Sequence, residues 1–237
     1  MTPLLTLLEI LRRLEARYGH LPDRHTSDPL AELIQTILSQ NTSDANSGRA
    51  FNQLWRTFGN WEAIARAPVA EVAEAIKSGG LGQVKAPRIQ AVLKRIREER
   101  GDFSLAFLGD MSLEEARLWL VNLPGVGPKT AACVLLFSLD KPALPVDTHV
   151  HRVARRLGLV GDKVSAEKAA TLLEAMVPPG DVYRFHIYLI EHGRRLCKAQ
   201  RPLCPQCPLL DGCPTGQEVT RGAPSHASLW SSGNDTM

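Results

Sequence analysis

Apolar residues recur along this chain at spacings of three and four, the period of a helix with one buried face. In "SDPLAELIQTILSQNTS", Leu30, Leu33, Ile34, Ile37 and Leu38 form one stripe. Asp28 stands where an N-cap belongs, and Pro29 opens the helix at a position where a missing N–H costs nothing. "APVAEVAEAIKSGG" predicts a short helix stopped by Gly79 and Gly80. "PRIQAVLKRIREERG" predicts another, basic towards its end and closed by Gly101. Ser112 and Glu115 in "MSLEEARLWLVNLPG" have the spacing of a capping box. "KTAACVLLFSL" is apolar nearly all round, the pattern of a buried central helix. "DTHVHRVARRLGL", "SAEKAATLLEAMV" and "DVYRFHIYLIEHGRRLC" predict three more. No stretch alternates convincingly with the period of two that a half-buried strand shows, and no motif repeats at a fixed interval. The predicted class is all-α.

Composition adds bounds rather than identity. The 237 residues, 44% of them hydrophobic, suffice for one large domain or two small ones. The formal net charge is +3, so any strongly basic surface is local. No apolar run approaches the roughly 18 residues that span a bilayer, and no membrane partner is expected. "MTPLLTLLEILRRLEARYGHLP" has helical spacing with Glu and Arg among its leucines, without the basic start and small-residue cleavage site of a secretion signal. A cytoplasmic protein is expected, where stable disulfides are uncommon. The end of the chain from Pro214, rich in Gly, Ser and Pro, reads as a flexible tail over 214–237.

Against that background the cysteines matter. Four of the five, Cys197, Cys204, Cys207 and Cys213, follow the pattern C-x6-C-x2-C-x5-C. In a reducing compartment such a group binds metal. Zinc and a Cys-ligated iron–sulfur cluster both suit four thiolates, and the spacing leaves both open. Cys133 lies in the apolar helix and reads as core. Arg194, Arg195, Lys198 and Arg201 crowd the same region. Cations are favourable at a helix C-terminus anyway. Yet a loop tied at both ends by cysteines can also hold Lys198 and Arg201 against a DNA backbone.

A second stretch, "LPGVGPKTAACVLL", places Gly125 and Gly127 between two helical patterns. Glycines there turn the chain tightly and free backbone N–H groups to meet a phosphate at the next helix's N-terminus. Most Gly-x-Gly turns are only turns; between two helices, this one looks like a helix-hairpin-helix DNA-backbone motif. Lys129 follows, where the helix dipole disfavours a cation. It either contacts phosphate or water, or is held as a neutral, nucleophilic amine by the helix end and partial burial. Asp147 has the position of an N-cap, a role compatible with catalysis because a cap fixes the carboxylate's angle. His149, His151 and Arg152 form a small basic group after it, with Arg152 suited to a phosphate or an ion pair.

Taken together, "LSQNTSD", "GLGQVKA", "LPGVGPKTA", "VDTHVHRV", "EHGRRLC" and the four-cysteine pattern resemble, in family order, the endonuclease III family of DNA glycosylases. The match runs over roughly residues 28 to 213. The resemblance implies a Schiff-base lysine at Lys129 and a catalytic aspartate at Asp147. It implies that Gln40 fills the gap left by an extruded base and that Leu81 wedges the kinked duplex open. It assigns the four cysteines to a [4Fe-4S] cluster. It also implies two helical lobes flanking a DNA-binding cleft: a six-helix domain with the hairpin over 28–141, and a cluster domain built from 1–27 and 142–213. The expected partner is double-stranded DNA containing damaged pyrimidines or AP sites, bound by a monomer through Gln40, Leu81, Gly125, Gly127, His149, Arg152, Arg194, Lys198 and Arg201. The expected reaction is base excision of oxidised pyrimidines with AP-lyase nicking. The alternatives are a monofunctional glycosylase for thymine or uracil opposite guanine, a non-catalytic DNA-binding homologue, and a zinc-stapled regulatory protein. The sequence departs from the family pattern at Pro128, where a basic residue is usual, and at Val121 and Asn122, where an acidic one is common; the catalytic pair is intact.

Overall fold

The computed structural model describes residues 5–21 and 27–222, and among these no strand occurs. In chain order the α-helices are α1 (Leu7–Tyr18), α2 (Pro29–Ser39), α3 (Asp44–Phe58), α4 (Trp61–Arg66), α5 (Val69–Ala75) and α6 (Gly82–Arg100). There follow α7 (Leu113–Val121), α8 (Pro128–Ser138), α9 (Thr148–Arg156), α10 (Ala166–Met176), α11 (Val182–Arg195) and α12 (Pro214–Thr220). The chain forms two compact units, one of residues 24–145 and one joining 1–23 to 146–237. The later boundary falls at Val146, a few residues beyond the expected Pro142.

The first unit grows around α2 and α8. Asp28 Oδ1 accepts from the Ala31 amide at 2.9 Å, so the cap is made as its residue type dictates. The whole stripe of Leu30, Leu33, Ile34, Ile37 and Leu38 is buried. Helix α8 buries eight of its eleven residues, Cys133 among them, in keeping with its unbroken apolar sequence. Ser112 and Glu115 close the capping box at the start of α7. Helix α6 starts at Gly82, earlier than Pro87, where the basic pattern begins. Pro87 lies inside α6 on its exposed side, where water can take the hydrogen bond its ring removes. Helix α3 is absent from the periodicity reading because it fully buries only Ser47, Ala50 and Leu54, a thin stripe.

In the second unit α11 packs between α1 and α9. Arg184 of α11 pairs with Glu15 of α1 at 2.7 Å, and Tyr188 donates its hydroxyl to the Gly19 carbonyl at 3.0 Å. The expected flexible tail needs correcting at its start. Pro214–Thr220 is helical, opened by Pro214 and capped by the Cys213 sulfur, which accepts from the Gly216 amide at 3.3 Å. Proline at a first helical position promotes a helix rather than breaking one. Residues 223–237 lie outside the described part.

Helix α2 also carries a carboxylate that burial disfavours. Glu32 accepts from Ser27 Oγ at 3.1 Å and Thr36 Oγ1 at 3.3 Å, yet burial outweighs both bonds and raises its pKa above the usual 4.5. With the folded pKa above the unfolded one, stability is greatest with the group protonated and falls as pH rises through the folded value. Glu32→Gln should therefore raise the melting temperature at pH 7.5, with the gain shrinking towards pH 4. A gain that is equal at both pH values would contradict this account.

Candidate DNA interface and cysteine centre

In the first unit, two turns and one hairpin hold the residues singled out from the sequence. The end of α2 leads into Gln40 and Asn41, and Asn41 adopts a left-handed φ of 56°. The turn after α5 leads through Gly80 to Leu81, also left-handed at 53°, with a 54% exposed side chain. A leucine in that conformation is strained, and an exposed one gains nothing from the core to offset it. Both turns hang on Lys85. Its buried ammonium donates to the Leu38 carbonyl at 2.7 Å and the Gly79 carbonyl at 2.9 Å. Burial, and then neighbouring Arg88, lower its pKa.

The hairpin between α7 and α8 turns at Gly125, whose φ of 73° calls for glycine, and the Val126 amide donates to the Leu123 carbonyl at 3.1 Å. Gly127 is the N-cap of α8 and makes no side-chain cap. A Cβ at Gly127 would meet nothing within 4 Å, and no side chain caps the start of α8. This is the geometry of an anion site at a helix N-terminus. Lys129 follows at the second helical position and is exposed. Of the two readings offered for it, the partial burial that the neutral-amine reading invoked is not found, because the helix start that carries it stands at the surface.

In the second unit, Asp147 caps α9, its Oδ1 accepting from the Val150 amide at 2.7 Å. Arg152 serves a different purpose from the expected phosphate contact. Its guanidinium donates to the carbonyls of Thr148 (3.3 Å), Gly193 (2.9 Å) and Cys197 (3.0 Å), and to His149 Nδ1 at 3.1 Å. It buckles α9 to the end of α11 and engages one ring nitrogen of half-buried His149. Arg156, one turn on, donates to the carbonyls of Lys198 at 2.7 Å and Ala199 at 2.9 Å. The loop of Lys198 and Arg201 is thus tied to α9 by an arginine. Lys198, Arg201 and Arg194 are exposed, and Arg201 is left-handed at 51°.

Cys197, Cys204, Cys207 and Cys213 line one cavity with Val153, Leu157 and Leu196. No disulfide joins them. Burial pushes the thiol of Cys207 up to about 11 and that of Cys213 to about 12. Donors nevertheless aim at the sulfurs: Arg156 at Cys197 (3.3 Å), the Leu209 amide at Cys207 (3.4 Å) and the Gly216 amide at Cys213 (3.3 Å). His192, kept neutral near pH 7 because burial lowers it to about 4, stands 3.5 Å from Cys207 and 2.9 Å from Tyr18 Oη. Among the described residues, no three Cys, His, Asp or Glu side chains converge on one point as the ligands of a single ion do. Four thiols lining one cavity, with donors aimed at their sulfurs, are a donor set that zinc and a Cys-ligated iron–sulfur cluster both use.

Residues 34–179 match the HhH-GPD superfamily of base excision DNA repair proteins. The chain belongs to that superfamily. Endonuclease III of Thermotoga maritima is 37% identical over 207 residues, 86% of this chain and 91% of its own length. A protein of Arabidopsis thaliana is 38% identical over 162 residues, 68% of this chain but only 55% of its own length. Among solved structures, a trapped covalent intermediate of endonuclease III with DNA matches with a TM-score of 0.76 at 30% identity, over 92% of this chain and 100% of that one. Within the HhH-GPD superfamily the resemblance to endonuclease III therefore stands.

For this HhH-GPD protein, sequence reasoning missed Lys85, Arg88 and Arg156. One signal was available for Lys85: a lysine at an apolar position of the α6 pattern, next to the buried Ala86. Removing its ammonium leaves two buried carbonyls without their donor. Lys85→Met should lower stability by about 3 kcal/mol in urea unfolding, as two charge-assisted hydrogen bonds are lost. A loss under about 0.5 kcal/mol, the scale of an ordinary surface substitution, would show that the turns do not depend on it.

Proposed function

We propose that Lys129 and Asp147 carry the chemistry of this chain, a DNA glycosylase/AP lyase of base excision repair, and that its substrates are oxidised pyrimidines in double-stranded DNA. The observation that carries the reading is the start of α8: uncapped amides behind a left-handed glycine, followed at once by an exposed lysine. The amides and hairpin backbone hold a phosphate, which fixes the strand. Gln40 and Leu81 enter the duplex from their strained turns as the damaged nucleotide leaves the stack.

Lys129 Nζ then attacks C1′ while the C1′–base bond breaks and the base departs with its electron pair. Asp147 takes a proton from the attacking amine and opposes the positive charge developing on the sugar. The C1′–O4′ bond then opens, O4′ taking up a proton as the nitrogen lone pair forms the imine, and the imine makes the C2′ hydrogen acidic. Its loss expels the 3′ phosphate, and water releases Lys129. The cap bond to Val150 fits this part, since it occupies Oδ1 and fixes the plane of the carboxylate.

The protein acts as a monomer, and Cys197, Cys204, Cys207 and Cys213 hold a [4Fe-4S] cluster. The cavity that the four thiols share, the donors aimed at their sulfurs and the likeness to endonuclease III support this assignment. When bound, the cluster supplies a rigid cross-link between the end of α11 and α12. The chain's own Lys198 and Arg201 contact the DNA backbone from the loop so held.

Borohydride trapping tests the lyase. Wild type should form a covalent adduct with an AP-site duplex, Lys129→Ala none, and Asp147→Asn should form it about 10²–10⁴-fold more slowly. Wild type that forms no adduct sinks the reading, and a panel of oxidised-pyrimidine and mismatch duplexes fixes the base removed. The centre is tested by DNA affinity against salt. Lys198→Ala and Arg201→Ala should each reduce the salt slope by about 1, and chelation that bleaches the protein's visible absorbance should weaken binding in the same way. A colourless protein holding zinc, or slopes left unchanged, would overturn the cluster or the contact respectively.

A further inference from the structure

Arg88 has no part in the scheme above, yet it touches two of its elements. It projects from α6 and is half-buried. Its Nη1 donates to Gln40 Oε1 at 2.8 Å. An arginine side chain has donors only, so chemistry fixes which end of the amide faces it: the oxygen. The NH₂ of Gln40 is therefore turned away from Arg88. The stem of the same side chain runs beneath the hairpin. A Cβ at Gly125 would lie 2.6 Å from Arg88 Nε, 2.7 Å from Cδ and 3.0 Å from Cγ. The hairpin backbone thus lies against the stem, which limits how far the guanidinium can swing from Gln40. The main chain below Gln40 is held too, since Lys85 of the same helix binds the Leu38 carbonyl.

We propose that Arg88 is a positioning residue that locks the Gln40 amide in one orientation, so that Gln40 reads the base opposite the lesion through that base's acceptors only. The inference rests on the reading of Gln40 as the residue that enters the gap. A free glutamine amide pairs with adenine through two bonds, its NH₂ to a ring nitrogen and its oxygen to the 6-amino group. That oxygen has a second lone pair, but drawn towards Arg88 the amide presents its NH₂ rather than its oxygen to the base, and the second bond is withheld. The 6-amino group of adenine then contributes nothing to recognition. In Arg88→Met the stem beneath Gly125 is kept and the donors are lost, the amide can turn, and the second bond becomes available.

The test uses duplexes with one abasic site opposite either adenine or purine, which is adenine without its 6-amino group. Single-turnover nicking by wild type should be equal on the two. Arg88→Met should favour adenine about fivefold, the worth of one hydrogen bond, while Arg88→Lys, which retains a donor, stays near wild type. In Gln40→Ala/Arg88→Met the preference should vanish. A wild type that already favours adenine overturns the proposal, and this reading needs no variant to fold. An equal ratio in a folded Arg88→Met, or a preference that survives without Gln40, overturns it as well. If Gln40→Ala alone binds and nicks both duplexes like wild type, the role of Gln40 falls and takes this inference with it. If Gln40→Ala is impaired and Arg88→Met shows no preference, only the role of Arg88 falls.

Discussion

The ammonium of Lys85 is the constraint on which the first unit's working surface depends. A charge in the interior must find partners, and here they are two backbone carbonyls rather than a carboxylate. One belongs to the last turn of α2, where the helix dipole is negative. The other belongs to the turn after α5. A single charged atom on α6 therefore ties together the two places where the chain must turn sharply, at Asn41 and at Leu81. Strained backbone persists only where its surroundings over-determine it. Lys85 is the strongest of those surroundings.

The second unit solves its own version of the problem with arginines. Arg152 and Arg156 stand one turn apart on α9 and spend their donors on carbonyls at Gly193, Cys197, Lys198 and Ala199. In both units the cations that shape the surface are satisfied by neutral oxygens. A carbonyl satisfies a cation's donors without adding an anion beside it. A chain of net charge +3 thus places its positive field locally. Arg156 also lines the cysteine cavity, so the cavity and the basic loop share part of their scaffolding.

What the sequence revealed was what lies close along the chain. The caps at Asp28, Ser112 and Asp147 could be read because cap and amide are three residues apart. The fully apolar α8 could be read as buried for the same local reason. Lys85, Arg88 and Arg156 went unread, since they bind partners 47, 48 and 42 residues away, and only Lys85, at an apolar position of α6, carried a local mark. Helix α3 escaped because tertiary packing, not a broad stripe, holds it in place. The residue types at Lys129 and Asp147 were legible, but the exposure of Lys129 depends on where the start of α8 comes to lie. The start of the tail misled because its Gly-, Ser- and Pro-rich composition outweighed the one proline placed to open a helix.

The left-handed backbone at Asn41, Leu81 and Arg201 has a consequence for how this protein can evolve. Glycine at any of these positions would relieve the strain and raise stability. It would also erase the side chain that the turn holds out. Selection for heat tolerance alone would therefore drift towards glycine there, and selection for repair would drive it back. The three positions mark where robustness and work pull the same codon in opposite directions.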